Sequence, residues 1–255
     1  MTLSFDAVWQ LMVRVYLVTI RIPAAIVPTL IFPLFFLITF TGVYVSLTRL
    51  PGFPTDNIYD WFVPFMILQG AAFAGIGAGF SLGRDIETGF MDRILLTPQP
   101  RITLMVGPIA AYVLRSLFTA MIVLTVGVLL GSALPNLGGF ILLGIAVVGI
   151  SIVASCWSMG LMYRAKDLSV APLFQLVIFI VMFVSNAQVP VDVSTGWLQV
   201  AARVNPLTNV LRMARQGHLE DSVVWANTWP GLLALALGIV IVGAWAYRGL
   251  LRYTP

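Results

Sequence analysis

Six stretches of about 20 mostly apolar residues dominate this chain, and each is long enough to cross the roughly 30 Å hydrocarbon core of a bilayer as a helix. They fall at about 23–47, 62–82, 109–131, 139–162, 170–188 and 231–249. The breaks between them differ in character. Residues 48–60 hold Pro51, Gly52, Pro54 and Asp56, a turn-rich loop. Residues 84–101 are charged, 132–138 form a short Pro/Asn/Gly turn, 163–169 contain Arg164, Lys166 and Asp167, and 189–230 are mixed polar. Only 9% of the 255 residues are charged and 60% are hydrophobic, against about 25% charged in a soluble domain. So few charges cannot cover a water-facing surface of this size. The expected fold is an all-α membrane protein: a single transmembrane domain, 1–255, with six transmembrane helices.

The basic residues set an expected orientation. With six spans, Arg14, Arg21, Arg84, Arg93, Arg101, Arg115, Arg164, Lys166, Arg248 and Arg252 share one side, ten in all, and Arg49, Arg203, Arg212 and Arg215, four in all, the other. The positive-inside rule then places both termini in the cytoplasm. Residues 1–21 lack the basic start and small-residue cleavage site of a signal peptide. Phe5, Val8, Trp9, Met12 and Tyr16 recur at helical spacing, with Asp6, Gln10 and Arg14 on the opposite face. This predicts an N-terminal interfacial amphipathic helix over 3–21.

Several chemistries find no support. The basic residues are scattered singly, which argues against nucleic-acid binding. The one cysteine, Cys156, lies in an apolar run and is expected to be a packing residue. The one histidine, His218, lies in a polar stretch and is expected to be solvated, so neither a metal site nor a Cys–His dyad is expected. A secondary transporter needs an intramembrane carboxylate as coupling residue, and no Asp or Glu lies within the cores of the six runs. Arg115, placed about one turn into the third run, is expected to snorkel to the cytoplasmic surface. A membrane enzyme needs clustered His, Asp or Glu, which are not found. A non-transporting assembly or sensor protein of the same fold stays open.

Neutral polar residues in the runs include Gln69, Ser151, Ser155, Ser158, Gln175, Asn186 and Gln188. Such groups mostly bind helices together. Phe32, Phe35, Phe36 and Phe40 recur at helical spacing on the first run, Phe65 and Phe73 lie on the second, and Phe174 and Phe183 on the fifth. If these helices meet, the seam suits an apolar or amphipathic substrate. Phe32, Phe36, Phe40, Phe65, Gln69, Phe73, Gln175, Phe183 and Asn186 are the candidate substrate path.

Two further segments carry information. In the loop 84–98, Phe90, Met91, Ile94 and Leu95 fall on one helical face while Asp85, Glu87, Thr88, Asp92 and Arg93 supply a polar side, and Pro98 ends the helix. In 205–217, Asn205 is a good N-cap, Pro206 suits the first helical position and Gly217 a C-terminal cap, with Leu207, Val210, Leu211 and Ala214 as an apolar stripe. This is an extracytoplasmic amphipathic helix before the last span. At these residues the sequence resembles the type-2 permeases of ATP-binding-cassette (ABC) exporters. That family carries a loop of the form E-x-G-T-x-x-R-L-x-x-x-P, matched by Glu87, Gly89, Arg93, Ile94 and Pro98, with Phe90 in place of Thr. It also carries N-P-L-T followed by Arg, matched by Asn205, Pro206, Leu207, Thr208 and Arg215.

The resemblance implies a division of labour. The helix around Glu87–Leu95 would be the coupling helix, with Arg84, Asp85, Glu87, Gly89, Asp92, Arg93 and Pro98 meeting a separate ABC ATPase subunit. ATP and Mg would be bound on that partner, and no cofactor by this chain. The chain itself holds no Walker A loop: its one lysine, Lys166, follows Tyr163-Arg164-Ala165 without a glycine run. The resemblance further implies a dimer, with a second permease copy or a paralogue, in the plasma (inner) membrane of a prokaryote. The cargo it implies is a drug or lipid. The alternative cargo is a polysaccharide or glycolipid.

Overall fold

The structure, a computed structural model, describes residues 5–20, 23–191 and 193–253. Among the described residues the chain is helical, without strands. The elements run α1 (Phe5–Ile20), α2 (Pro23–Tyr44), α3 (Ile58–Gly75), α4 (Gly77–Glu87), α5 (Phe90–Leu95), α6 (Thr103–Leu129), α7 (Leu137–Ala165), α8 (Ala171–Phe183), α9 (Gly196–Val204), α10 (Pro206–Leu219) and α11 (Trp225–Arg252). Leu3 and Arg21, at the expected ends of the interfacial helix, lie outside the described residues. The part described, α1, packs along α6 with Val15 buried, while Phe5, Trp9 and Tyr16 stay exposed.

Among the described residues, five helical segments are long and apolar enough to cross a membrane: Thr29–Arg49, Ile58–Glu87, Thr103–Leu129, Leu137–Ala165 and Trp225–Arg252. Most outrun the apolar stretches expected from sequence, because a helix needs only its own backbone bonds to continue into polar flanks. The fifth expected span, 170–188, is helical over a shorter stretch than expected. Its α-helix, α8, has 13 residues, about 20 Å at 1.5 Å per residue. Residues 184–188 leave the helix and bond to α10 instead.

The second segment is the hub. Its apolar window is 83% buried, against 17% for the first and the last. It packs on α2, α6, α7 and α10, so it is apolar all round, as a helix enclosed by others must be. Close approach to α7 rests on Gly75 and Gly79, one turn apart. A Cβ on Gly75 would lie 2.7 Å from the Ser151 carbonyl oxygen, and one on Gly79 2.5 Å from the Ser158 Cβ. At the same contact the Ser155 hydroxyl donates to the Gly75 carbonyl (3.1 Å), and the Gly79 N–H donates to the Ser158 hydroxyl (3.1 Å). These serines therefore do bind helices together, at the point where the α3–α4 helix breaks around Ile76.

Asparagines start three helices: Asn57, Asn136 and Asn205 each accept from a backbone N–H in the first turn of α3, α7 and α10. Helix α10 runs past the expected stop at Gly217 to Leu219, and the Gly217 carbonyl accepts from the Asn136 N–H. Rather than lying loosely on the bundle, α10 is built into it against α3, α7 and α11. Its last turn holds His218, half-buried and with no hydrogen-bond partner for either ring nitrogen among the described residues. The expectation of a solvated histidine is thus corrected. Cys156 is buried, in keeping with a packing residue.

Candidate functional site

The aromatic residues of three helices form one seam. On α2, Phe32, Phe36 and Phe40 stand a turn apart. Phe36 and Phe40 both contact Phe183 of α8 (centroids 6.0 and 6.2 Å), as does Phe65 of α3 (6.1 Å). Phe73 of α3 contacts Phe32 (6.2 Å) and Phe179 of α8 (5.0 Å). Edge-to-face geometry prevails, the arrangement that aligns ring edges with ring faces. Phe179, which completes the seam, was not singled out from the sequence, although its four-residue spacing to Phe183 was there to read. Gln69 lies one helical turn from both Phe65 and Phe73. It is fully buried, and neither amide atom has a hydrogen-bond partner among the described residues. An uncompensated amide in an aromatic seam offers directional hydrogen bonds to whatever enters it.

The other two candidate path residues go elsewhere. Gln175 lines a cavity of about 370 Å³ together with Phe73, Phe80, Arg84, Tyr112 and Arg115. Asn186 sits at the far end, on a separate cavity of about 410 Å³ beside Trp61, Arg212 and Arg215. Arg115 does not snorkel. It lies 12 residues past Thr103 in α6, 8% exposed, and donates to the Thr29 hydroxyl at 3.1 Å.

At the end of the bundle that holds the C-terminal residues, the expected coupling helix is in fact two helices. α4 ends at Glu87, and α5 begins after Gly89, whose φ of +64° lies in the left-handed region. The Asp85 carboxylate accepts two bonds from Arg14 of α1, at 2.6 and 2.9 Å, and the Arg14 guanidinium lies 3.6 Å from the Phe90 ring centroid. Asp92 accepts from the Tyr253 hydroxyl at 3.1 Å. The apolar face of α5 turns inward, with Met91 buried. The surface left outside presents Glu87, Thr88, Arg93, Thr97, Pro98 and Leu96, which is 86% exposed. Of the seven expected coupling residues, then, Glu87, Arg93 and Pro98 face outward, Gly89 makes the turn, Asp85 and Asp92 hold the hairpin down, and Arg84 turns to the cavity.

The N-P-L-T segment builds a third feature. Asn205 caps α10 and its amide also donates to the Val181 carbonyl (2.6 Å). Nearly three turns on, Arg215 is 2% exposed and donates to the carbonyls of Trp61 (3.1 Å), Asn186 (3.0 Å) and Ala187 (2.8 Å). Its guanidinium stacks 3.5 Å from the Trp61 ring centroid. Burial pushes its pKa down from 12.5 to about 9, so it keeps its proton at neutral pH. It ties α10 to α3 and to the segment after α8.

The sequence model of the family described as "ABC-2 type transporter" matches residues 6–219, which takes in all three features. The chain belongs to the ABC-2 type transporter family. Among its relatives, the "Putative transport permease ycf38" of Pyropia yezoensis is 25% identical over 236 residues, 91% of this chain and 80% of that protein. The "Daunorubicin resistance ABC transporter permease protein DrrB1" of Streptomyces coeruleorubidus is 24% identical over 228 residues, 87% of this chain and 77% of its own. The "Probable doxorubicin resistance ABC transporter permease protein DrrC" of Mycobacterium tuberculosis is 27% identical over 188 residues, 71% and 66% of the two chains. An ABC-2 permease implies an ABC ATPase as its partner.

Proposed function

We propose that this ABC-2 permease is the membrane-spanning subunit of an exporter that moves an apolar or amphipathic substrate, a drug or lipid, outward. The observation that carries the substrate class is the seam joining α2, α3 and α8, with Gln69 buried inside it. ATP hydrolysis takes place on a separate subunit, which docks on Glu87, Thr88, Arg93, Leu96 and Pro98. The helix pair α4–α5 transmits the closure of that subunit to α3, with which α4 is nearly continuous. Six crossings, with Leu168–Phe183 and the residues after it making the short fifth, leave both termini and the coupling surface in the cytoplasm. The ten-to-four distribution of basic residues supports that orientation, and so do the contacts that gather Arg14, Asp85, Asp92, Arg101 and Tyr253 at one end. The working unit is a dimer. Exposed Phe35, Ile38 and Ile180 on α2 and α8 supply apolar surface beside the seam for a second copy. Names of relatives that specify daunorubicin and doxorubicin resistance favour a drug-like cargo.

The deciding experiment co-reconstitutes the chain with its ATPase in liposomes and follows ATP-dependent movement of a fluorescent anthracycline and of labelled lipids. Outward movement that Phe65→Ala or Phe183→Ala reduces at least fivefold is the expected result. Transport that ignores seam substitutions, or that runs on a proton gradient without ATP, contradicts the reading.

A further inference from the structure

Gln69 is the polar side chain on the α3 side of the seam. It is 0% exposed, and neither its amide oxygen nor its amide nitrogen has a hydrogen-bond partner among the described residues. Buried hydroxyls of the same bundle behave differently. Ser116 and Ser151 bond each other at 2.7 Å, Ser155 donates to the Gly75 carbonyl at 3.1 Å, and Ser158 accepts from the Gly79 N–H at 3.1 Å. Those groups bind helices together, the common role of a polar residue in a span. The Gln69 amide bonds to no other helix. A buried amide left unpaired destabilises a fold, whereas an apolar side chain of the same shape is neutral or stabilising there. Its surroundings show what could use it. Phe65, Gln69 and Phe73 stand at i, i+4 and i+8 on one face of α3. Phe65 meets Phe183, and Phe73 meets Phe32 and Phe179, so aromatic contacts lie one turn to either side of the amide. Phe73 also lines the cavity of about 370 Å³, which brings open space within one turn of Gln69.

We infer that Gln69 determines the specificity of the seam: it selects a cargo that carries a neutral hydrogen-bonding group, a carbonyl, amide or hydroxyl, within an apolar frame, over a cargo that is hydrocarbon throughout. A primary amide presents an acceptor oxygen beside two N–H donors, so it pairs with a ligand group of either polarity. In a dry site the discrimination is large. A ligand with such a group gives the amide the partner it lacks, and a hydrocarbon of the same shape leaves it unpaired. The closed, empty seam is then the less stable form, and a fitting cargo relieves it. This deepens the reading of the seam as the substrate path, and rests on it.

The test has two arms, both on the full chain in phosphatidylcholine nanodiscs without ATP or ATPase. The first compares thermal unfolding of the empty wild type and Gln69→Leu. Removing an unpaired amide should leave the midpoint equal or raise it. A lower midpoint shows that the amide is bonded within the fold, and overturns the inference. The second titrates two fluorescent probes that differ by one group, 1-pyrenebutyramide and 1-butylpyrene, with each affinity referred to the probe's concentration in the lipid. The wild type should bind the amide at least about tenfold more tightly than the hydrocarbon. Gln69→Leu should lose that preference, and Gln69→Asn, one methylene shorter, should keep part of it. Equal binding of the two probes by the wild type, no saturable binding of the amide, or a preference that survives in Gln69→Leu overturns the inference. Phe65→Ala and Phe183→Ala separate it from the reading beneath it. If both leave probe binding unchanged, the seam is not the path and the two readings fall together. Binding that needs the rings but ignores Gln69 overturns the inference alone.

Discussion

Arg215 and Arg115 are both arginines enclosed by helices, and their surroundings assign them different work. Arg215 is saturated by three backbone carbonyls and a tryptophan ring, so its role is to hold α10 against α3 and the end of α8. Arg215→Lys keeps the charge but gives up the planar fork. It should cost about 2–4 kcal/mol of stability, visible as a lower thermal midpoint in detergent, whereas an unchanged midpoint speaks against the cage. His218 makes a pH prediction. Burial, only partly opposed by Asp60, lowers its pKa from 6.5 to about 4. The unfolded chain therefore takes up a proton near pH 6.5 that the folded ring refuses until about pH 4. Stability is complete above 6.5 and falls as the pH drops through that window, by up to about 3 kcal/mol. A His218→Gln variant should flatten the unfolding midpoint between pH 6.5 and 4; an equally steep decline assigns the acid sensitivity to other groups.

At the scale of elements, the Gly89 turn and the α3–α7 contact behave oppositely under substitution. A Cβ at Gly89 meets nothing within 4 Å, so Gly89→Val strains only the backbone, at about 1–2 kcal/mol for a left-handed residue. That variant and Glu87→Ala should assemble normally yet lose transport while ATP hydrolysis persists; a double variant that transports at the wild-type rate contradicts the coupling role. At Gly79 the added atoms run into α7 itself. Gly79→Leu should lower the yield of folded protein, with at least about 2 kcal/mol of overpacking, read by size-exclusion chromatography and thermal unfolding. The short α8 shows how an element can be misjudged from sequence. Val184 to Gln188 continues a largely apolar run, but the carbonyls of Asn186 and Ala187 are claimed by Arg215 and that of Gln188 by the Trp61 indole N–H. Pro190 has no N–H to offer Asn186 in a continuing helix, and those bonds satisfy the carbonyls instead. α9 escaped the sequence reading because it lies within a break of mixed polarity. There Trp197, Val200 and Val204 form an exposed apolar stripe three and four residues apart.

For the whole molecule, the strongest expectation concerns assembly. Single cysteines at Phe35 or Ile180, in a Cys156→Ser background, should cross-link two copies in membranes, since these positions flank the seam and face outward. Cross-linking confined to surface positions on α11, away from the seam, would place the dimer elsewhere.

The sequence by itself determined an α-helical membrane chain, the breaks between its apolar runs, the capped start of α10 and the aromatic repeats of α2, because each depends on local hydropathy, local dihedral preference or helical spacing. Only the tertiary structure decided where the lone charges went. Whether Arg115 reaches water or an interior cavity, whether Asp85 waits for a partner or is already held by Arg14, and which carbonyls receive Arg215 all depend on pairs dozens of residues apart in the chain. A charge in a bundle is placed by the summed geometry of its neighbours, and that geometry exists only once the helices have packed.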